Sequence, residues 1–137
     1  MLRQRKTEPN FEVMHTIDLN ATNSTPAVKF GEDNKLVIKG RSIPEDVIKF
    51  YQPLFEWAET LQVNSLTIEI NLEYMNSASS KKLLYLLKTL DANSSIKELT
   101  VNWYYEKGDE DALEDGQVYE EFLLKAHFIY HEYADAA

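Results

Sequence analysis

Leu66, Ile68, Ile70 and Leu72 alternate with Thr67, Glu69, Asn71 and Glu73, and then the period changes. From Leu83 onward, Leu84, Leu86, Leu87 and Leu90 recur at helical spacing. A period of two that gives way to one of 3.6 specifies a strand with one buried face running straight into an amphipathic helix. The alternation carries a second constraint. A parallel strand covered on both faces is apolar throughout, so a strand with a clean polar side belongs to a sheet with helices mainly on one face. The expected fold is therefore α/β: a single domain with a small mixed β-sheet and its helices on one side.

The junction between the two periods is Asn76-Ser77. The first backbone N–H groups of a helix have no intrahelical partner, and Asn and Ser are the residues that cap them. The same position suits an anion, because the helix dipole is positive there. A hydroxyl at this turn therefore caps a helix, or accepts a phosphoryl group that the helix terminus tolerates.

The remaining elements follow from similar signals. A first strand is expected over Val13 to Leu19, turn chemistry over Asn20 to Thr25, and an extended piece over Pro26 to Phe30. Gly31-Glu32-Asp33-Asn34 reads as a hairpin-like turn into Lys35–Lys39, with Gly40 ending that strand. Pro44 suits the first turn of a helix, with Ser42 as its cap. Val47, Ile48, Tyr51, Leu54, Phe55, Ala58 and Leu61 continue its stripe across Pro53, where a kink or restart is expected. A strand over Ile96 to Tyr105, an acidic loop, a short helix around Val118, Tyr119, Phe122 and Leu123, and an edge strand over Phe128 to Tyr130 complete the chain. Residues 1–12 read as a flexible polar tail and 13–137 as the domain.

Charge and composition exclude several functions. A net charge of −9 repels phosphate backbones, so no nucleic-acid partner is expected. No apolar run approaches the roughly 20 residues that span a bilayer, and the basic start Arg3-Gln4-Arg5-Lys6 lacks the apolar core of a signal peptide, so no membrane partner is expected and the location reads as cytoplasmic. The absence of cysteine removes disulfides, thiolate metal sites and cysteine nucleophiles. Glu106, Asp109, Glu110, Asp111, Glu114 and Asp115 read as a solvated acidic segment, or as a surface steering a basic partner.

Little points to catalysis. His127 and His131 are four apart, which suits a metal on a helix, but on a strand they stand about 13 Å apart. Glu69 and Glu73 are likewise too far apart along a strand for a retaining carboxylate pair. There is no glycine-rich phosphate loop. Tyr51, Trp57, Trp103, Tyr104 and Tyr105 read as packing residues, with an aromatic ligand cluster as the alternative. Neither a cofactor nor an enzymatic activity is expected.

The string Tyr74-Met75-Asn76-Ser77-Ala78-Ser79-Ser80-Lys81 resembles the Y-[LMF]-N-[ST]-[SA]-S-x-K signature of SiaC-type regulatory phosphoproteins, which are related in architecture to STAS domains and anti-sigma-factor antagonists. Asn23-Ser24-Thr25-Pro26, Ser42-Ile43-Pro44-Glu45, Tyr51-Gln52-Pro53 with Trp57, Val101-Asn102-Trp103-Tyr104-Tyr105 and Phe128-Ile129 are similar in the same order, over roughly residues 16 to 131. The resemblance implies a STAS-like fold and phosphorylation of Ser77 by a serine/threonine kinase with a histidine-kinase-like fold. It also implies reversal by a PP2C-type phosphatase, and activation of a diguanylate cyclase by the unmodified form. Ser79 and Ser80 are the alternative acceptors. Tyr74, Asn76, Ser77, Lys81, Lys82, Pro44 and Glu45 are the expected partner-binding residues. Release of a sigma factor as an anti-sigma-factor antagonist, or small-molecule binding, are the alternative functions.

Overall fold

The computed structural model describes residues 16–134. The alternating run becomes the long central strand of a six-stranded sheet. In chain order the elements are β1 (Ile17–Leu19), β2 (Ala27–Phe30), β3 (Lys35–Ser42), α1 (Val47–Thr60), β4 (Ser65–Met75), α2 (Ser77–Ala92), β5 (Glu98–Glu106), α3 (Glu110–Phe122) and β6 (His127–Tyr133). Spatial order equals chain order. β1, β2 and β3 pair antiparallel, while β3–β4, β4–β5 and β5–β6 are parallel, each bridged by a helix.

The three β–α–β crossovers step in one direction along the sheet, and crossovers of one hand that do so stack their helices on one face. Burial agrees: Leu66, Ile68 and Ile70 are buried with Leu36, Ile38, Leu99, Val101 and Trp103, whereas Thr67, Glu69, Thr100 and Asn102 are only partly covered. Leu83, Leu86, Leu87 and Leu90 of α2 fill the centre of this core, against Tyr51, Leu54, Phe55 and Ala58 of α1. The expected mixed sheet with helices on one side is what the chain forms.

Polar groups tie the far ends of the helices. The Asp91 carboxylate accepts the backbone N–H groups of Leu124, Lys125 and Ala126 at 2.8–3.0 Å, anchoring the entry to β6. The Asn93 amide donates to the Ala58 and Leu61 carbonyls, closing the ends of α1 and α2 together.

Several local expectations need correction. β1 covers only Ile17–Leu19, and Val13, like the 1–12 tail, lies outside the described residues. Gly40 does not end β3. It sits at φ +124, where Gly carries no Cβ penalty, beside a register shift in which Leu72 pairs with Gly40 and Tyr74 with Arg41. The α1 cap is Asp46, whose carboxylate accepts from Lys49 N, while Ser42 is a buried strand residue. α1 continues through Pro53 without restarting, and Ile48 lies off the buried stripe at 60% exposure. The acidic segment is helical: Asp109 caps α3, and Glu110 and Asp111 in its first turn suit the positive end of the dipole.

Gly116 shows how closely α3 sits on the sheet. A Cβ there would come within 2.8 Å of the Trp103 indole, whose Nε1–H donates to Ala112 O at 2.9 Å. In an exposed helix Gly→Ala gains about 1 kcal/mol. Here overpacking of about 1–3 kcal/mol opposes it. Gly116→Ala is therefore expected to lower the urea midpoint, and a raised midpoint would show that α3 has room to shift.

Candidate functional site

All three parallel strands that precede a helix end on the same side of the molecule. The β3–β4 register pairs Ser42 with Met75, and Asn76 N–H donates to Ser42 O at 3.2 Å. Ile43 N–H donates to Ser24 O at 2.8 Å. Three segments far apart in the chain, Asn23–Pro26, Ser42–Glu45 and Tyr74–Lys81, thus meet at one end of the sheet. The register shift after Gly40 leaves Glu73 as the extra residue of β4 and aligns Tyr74 with Arg41. Bulges bend a strand and re-aim its side chains, and this one immediately precedes the turn.

At that turn the Asn76 side chain accepts Ser79 N–H at 2.9 Å, and Asn76 O accepts Ser80 N–H to begin α2. The three candidate hydroxyls then diverge. Ser77 is the first residue of α2 and is exposed. Ser79 has no exposed surface, and its Oγ accepts from Ser42 Oγ at 2.9 Å. Ser42 has only one proton and gives it to Ser79, so the Tyr51 hydroxyl, 2.7 Å away, donates to Ser42. Burial pushes the Tyr51 phenol up, which keeps that donor protonated. Ser80 is half-buried and locked to Tyr119: the phenol donates to Ser80 O at 2.7 Å and its oxygen lies 2.8 Å from Ser80 Oγ. Burial raises the Tyr119 phenol far above its ordinary range.

Of the expected partner residues, Tyr74 is 54% exposed, and Glu45 and Lys81 are also exposed. Asn76, Pro44 and Lys82 are half-buried. Pro44 and Glu45 follow the end of β3, which pairs with the end of β4 just before Ser77, and the lysines lie one turn into α2. No sequence signal joins the supporting residues Ser42, Tyr51 and Tyr119 as a unit. Nothing in residue spacing joins positions 42, 51 and 79; only the parallel pairing does.

The aromatic residues do not form one site. Tyr51, Trp57 and Trp103 belong to the core, while Tyr104 stacks on His131 with centroids 4.6 Å apart. His127 and His131 lie on strand β6, as their flanking residues implied, and His131 Nε2 is 2.8 Å from Asn102 Oδ1. Among the described residues no three acidic or histidine side chains gather in a metal-binding arrangement, and no helix is long and apolar enough to cross a membrane.

A family model for SiaC family regulatory phosphoproteins matches residues 19–133. The chain belongs to that family. Its fold is shared by a SiaC chain in the crystal structure of the diguanylate cyclase SiaD in complex with its activator SiaC from Pseudomonas aeruginosa, at TM-score 0.75 and 23% identity, covering 85% of this chain and 99% of that one. Apo-SiaC from the same organism aligns at TM-score 0.67 and 22% identity, covering 85% and 98%. No curated protein sequence matches the chain.

Beside the SiaC-family turn lies a cleft of about 400 Å³ lined by Tyr74, Met75, Trp103 and the α3 carboxylates Asp111, Glu114 and Asp115. Partial desolvation there, then the charges of Asp111, Asp109 and Glu114, push the Asp115 carboxyl up. The folded state therefore binds this proton more tightly than the unfolded one, and stability falls as pH rises from the unfolded carboxylate range near about 3.9. Asp115→Asn is expected to raise the urea midpoint at pH 7, by no more than about 0.5 kcal/mol because solvent screens an exposed carboxylate. The gain should vanish at pH 3. A variant no more stable at pH 7 than the unaltered protein would show that the repulsion is fully screened.

Proposed function

We propose that this protein is a phosphorylation-controlled protein–protein switch whose unmodified form binds and activates a diguanylate cyclase, and that phosphate on Ser77 removes that partner. Membership of a regulatory phosphoprotein family supports the regulatory role. The likeness to a SiaC bound to the cyclase SiaD supports the choice of target. The single observation that carries the residue assignment is the contrast among the hydroxyls: Ser77 faces solvent at the first position of α2, while Ser79 is fully buried and Ser80 is tied to Tyr119. A kinase needs an acceptor it can reach. The proposed kinase has a histidine-kinase-like fold, the phosphatase is of PP2C type, and the setting is cytoplasmic. The chain itself acts as a ligand and not as an enzyme.

The physics of the switch is local. Phosphorylation adds about −1.5 to −2 charge and three acceptor oxygens. The exposed start of α2 tolerates that charge within the protein, at a gain of about 0.3–1 kcal/mol. Against a desolvated partner surface the same group costs several kcal/mol through burial and like-charge repulsion.

Ser77→Ala is expected to abolish the one-phosphate mass increase under the cognate kinase while retaining cyclase binding. Phosphate mapped to Ser79 or Ser80 instead would overturn the assignment. Ser77→Asp should weaken binding by about 2–5 kcal/mol, some thirty-fold or more. The phosphorylated protein should be weaker still, since aspartate carries less charge. Equal affinity and equal cyclase activation by phosphorylated and unmodified protein would reject the switch. Phosphorylated protein should melt within a few degrees of the unmodified form, as expected for so small an energy in a domain of this size. A collapse of the melting temperature would mean that the modification acts by unfolding.

A further inference from the structure

The two edges of the sheet are built differently. β1 is three residues long and carries Asp18, whose carboxylate pairs with Lys29, so that edge is short and charged. At the other end of the strand order stands β6, seven residues without lysine or proline and in unbroken register against β5. Short strands, lysine, proline and bulges keep a sheet edge from pairing, and β6 has none of these. Its free side can be named residue by residue. Lys107 N–H donates to Tyr133 O at 2.7 Å, so the Tyr133 backbone faces β5. Backbone groups alternate sides along a strand. Those of His127, Ile129 and His131 therefore also face β5, and those of Phe128, Tyr130 and Glu132 point outward. Among the described residues no strand pairs with that outer side.

The residues of this edge say what fits against it. His127-Phe128-Ile129-Tyr130-His131 reads nearly the same in both directions. An antiparallel copy related by a two-fold axis at Ile129 sets His127 against His131, Phe128 against Tyr130 and Ile129 against itself. A two-fold interface requires such self-complementarity. The faces match as well. Phe128 is buried and Tyr130 half-buried on the helix-covered face, while Ile129 is 40% exposed on the open face. Aromatic then meets aromatic on one side of the sheet and aliphatic meets aliphatic on the other. Charge agrees: with histidine neutral, Ala126 to His131 carry none, so a chain of net charge −9 brings no like charges together here. A strongly charged partner strand would find no counter-charge on this edge.

We infer that β6 is a homodimerisation edge, through which two copies of this protein pair antiparallel about Ile129 and join their six-stranded sheets into one. The outward N–H and C=O groups of Phe128 and Tyr130 supply about four hydrogen bonds across the axis. The Tyr130 ring is held in place for this contact, because its hydroxyl donates to Glu120 of α3 at 2.6 Å. A single strand edge offers less than the roughly 800 Å² a side of a standard interface, so the association is weak and depends on concentration. β5 separates β6 from β4, so the dimer leaves the turn at Ser77 uncovered.

The test exploits the absence of cysteine from the chain. Across the axis Ile129 meets its own copy as a non-hydrogen-bonded pair, with Cα atoms about 4.5 Å apart, which a disulfide can bridge. Full-length Ile129→Cys, oxidised with copper–phenanthroline, is expected to form a disulfide-linked dimer at least about tenfold faster than Leu124→Cys, which is 97% exposed but lies off the strand. His127→Cys mixed with His131→Cys should cross-link faster than either variant alone. Equal rates for Ile129→Cys and Leu124→Cys would overturn the inference. The unaltered protein should sediment faster as its concentration rises. Ile129→Lys should stay monomeric at every concentration, since it sets like charges opposite each other on the axis. Ile129 lies outside the buried core, so both of its variants should keep the melting temperature of the unaltered protein. A sedimentation coefficient of the unaltered protein that does not rise with concentration would also overturn the inference.

Discussion

Parallel pairing of β3 with β4 is the constraint on which the rest of the molecule depends. Antiparallel neighbours would place successive strand ends on opposite sides of the sheet. Parallel neighbours joined by helices place them on the same side and force each crossover over one face. Because β3 and β4 end together, Ser42 lies level with Met75, and the turn at Asn76 can bond to the end of β3. The segment that leaves β3 at Ser42 and the turn that leaves β4 at Met75 start side by side for that reason and no other. The same pairing delivers Ser42 to Ser79 and so allows a hydroxyl relay through three elements.

That relay gives the turn its rigidity. A buried hydroxyl without a partner costs about 1–3 kcal/mol, so the arrangement of Tyr51, Ser42 and Ser79, each bonded to the next, resists displacement of the first turn of α2. Tyr119 holds the adjacent residue, Ser80, from the other side. Ser77 opens the same turn and belongs to neither anchor. An exposed hydroxyl on a fixed backbone is suited to a switch that works by charge, because the modified group need not rearrange the helix that carries it. The serines that hold the turn in place and the serine that is free to react occupy one turn of one helix.

The sequence made some of this legible. The alternation from Leu66 to Glu73 and the leucine spacing from 83 to 90 each report which face a residue lies on, and those faces held. The capping pair at Asn76-Ser77 reported the helix start to the residue. What local chemistry misjudged were positions where tertiary context outweighs propensity. Gly40 and Pro44 look like a strand end and a helix start, yet the strand passes through Gly40 in a bulge and the helix waits for Asp46. Ser42 looks like a cap because Ser is a capping residue, but pairing buries it and gives its hydroxyl to another element. The acidic run looks like a solvated loop because its apolar residues are few; α3 needs only Tyr119 and the close approach of Gly116 to hold it against Trp103. Contacts between residues 37 or 39 positions apart, such as Ser42 with Ser79 and Ser80 with Tyr119, have no local signature at all.

Screening sets how far the phosphate can act, and this divides the labour along α2. At physiological ionic strength the Debye length is about 8 Å, so a charge at Ser77 is felt strongly by Lys81, one turn away, and weakly by Lys88, three turns away. In the proposed switch the phosphate therefore discriminates only through partner groups close to the turn, and any partner contact three turns away along α2 is out of its reach. Such a design bounds the response. If all the affinity lay at the turn, a several-kcal/mol penalty would coincide with the loss of every favourable contact, and the partner surface would have to be small. With contacts extended along the helix, the unmodified protein can bind tightly while the penalty stays confined to one end. A net charge of −9 does not conflict with this, since the repulsion that matters is between the phosphate and partner groups within a few ångströms of it, and not between two molecules as wholes.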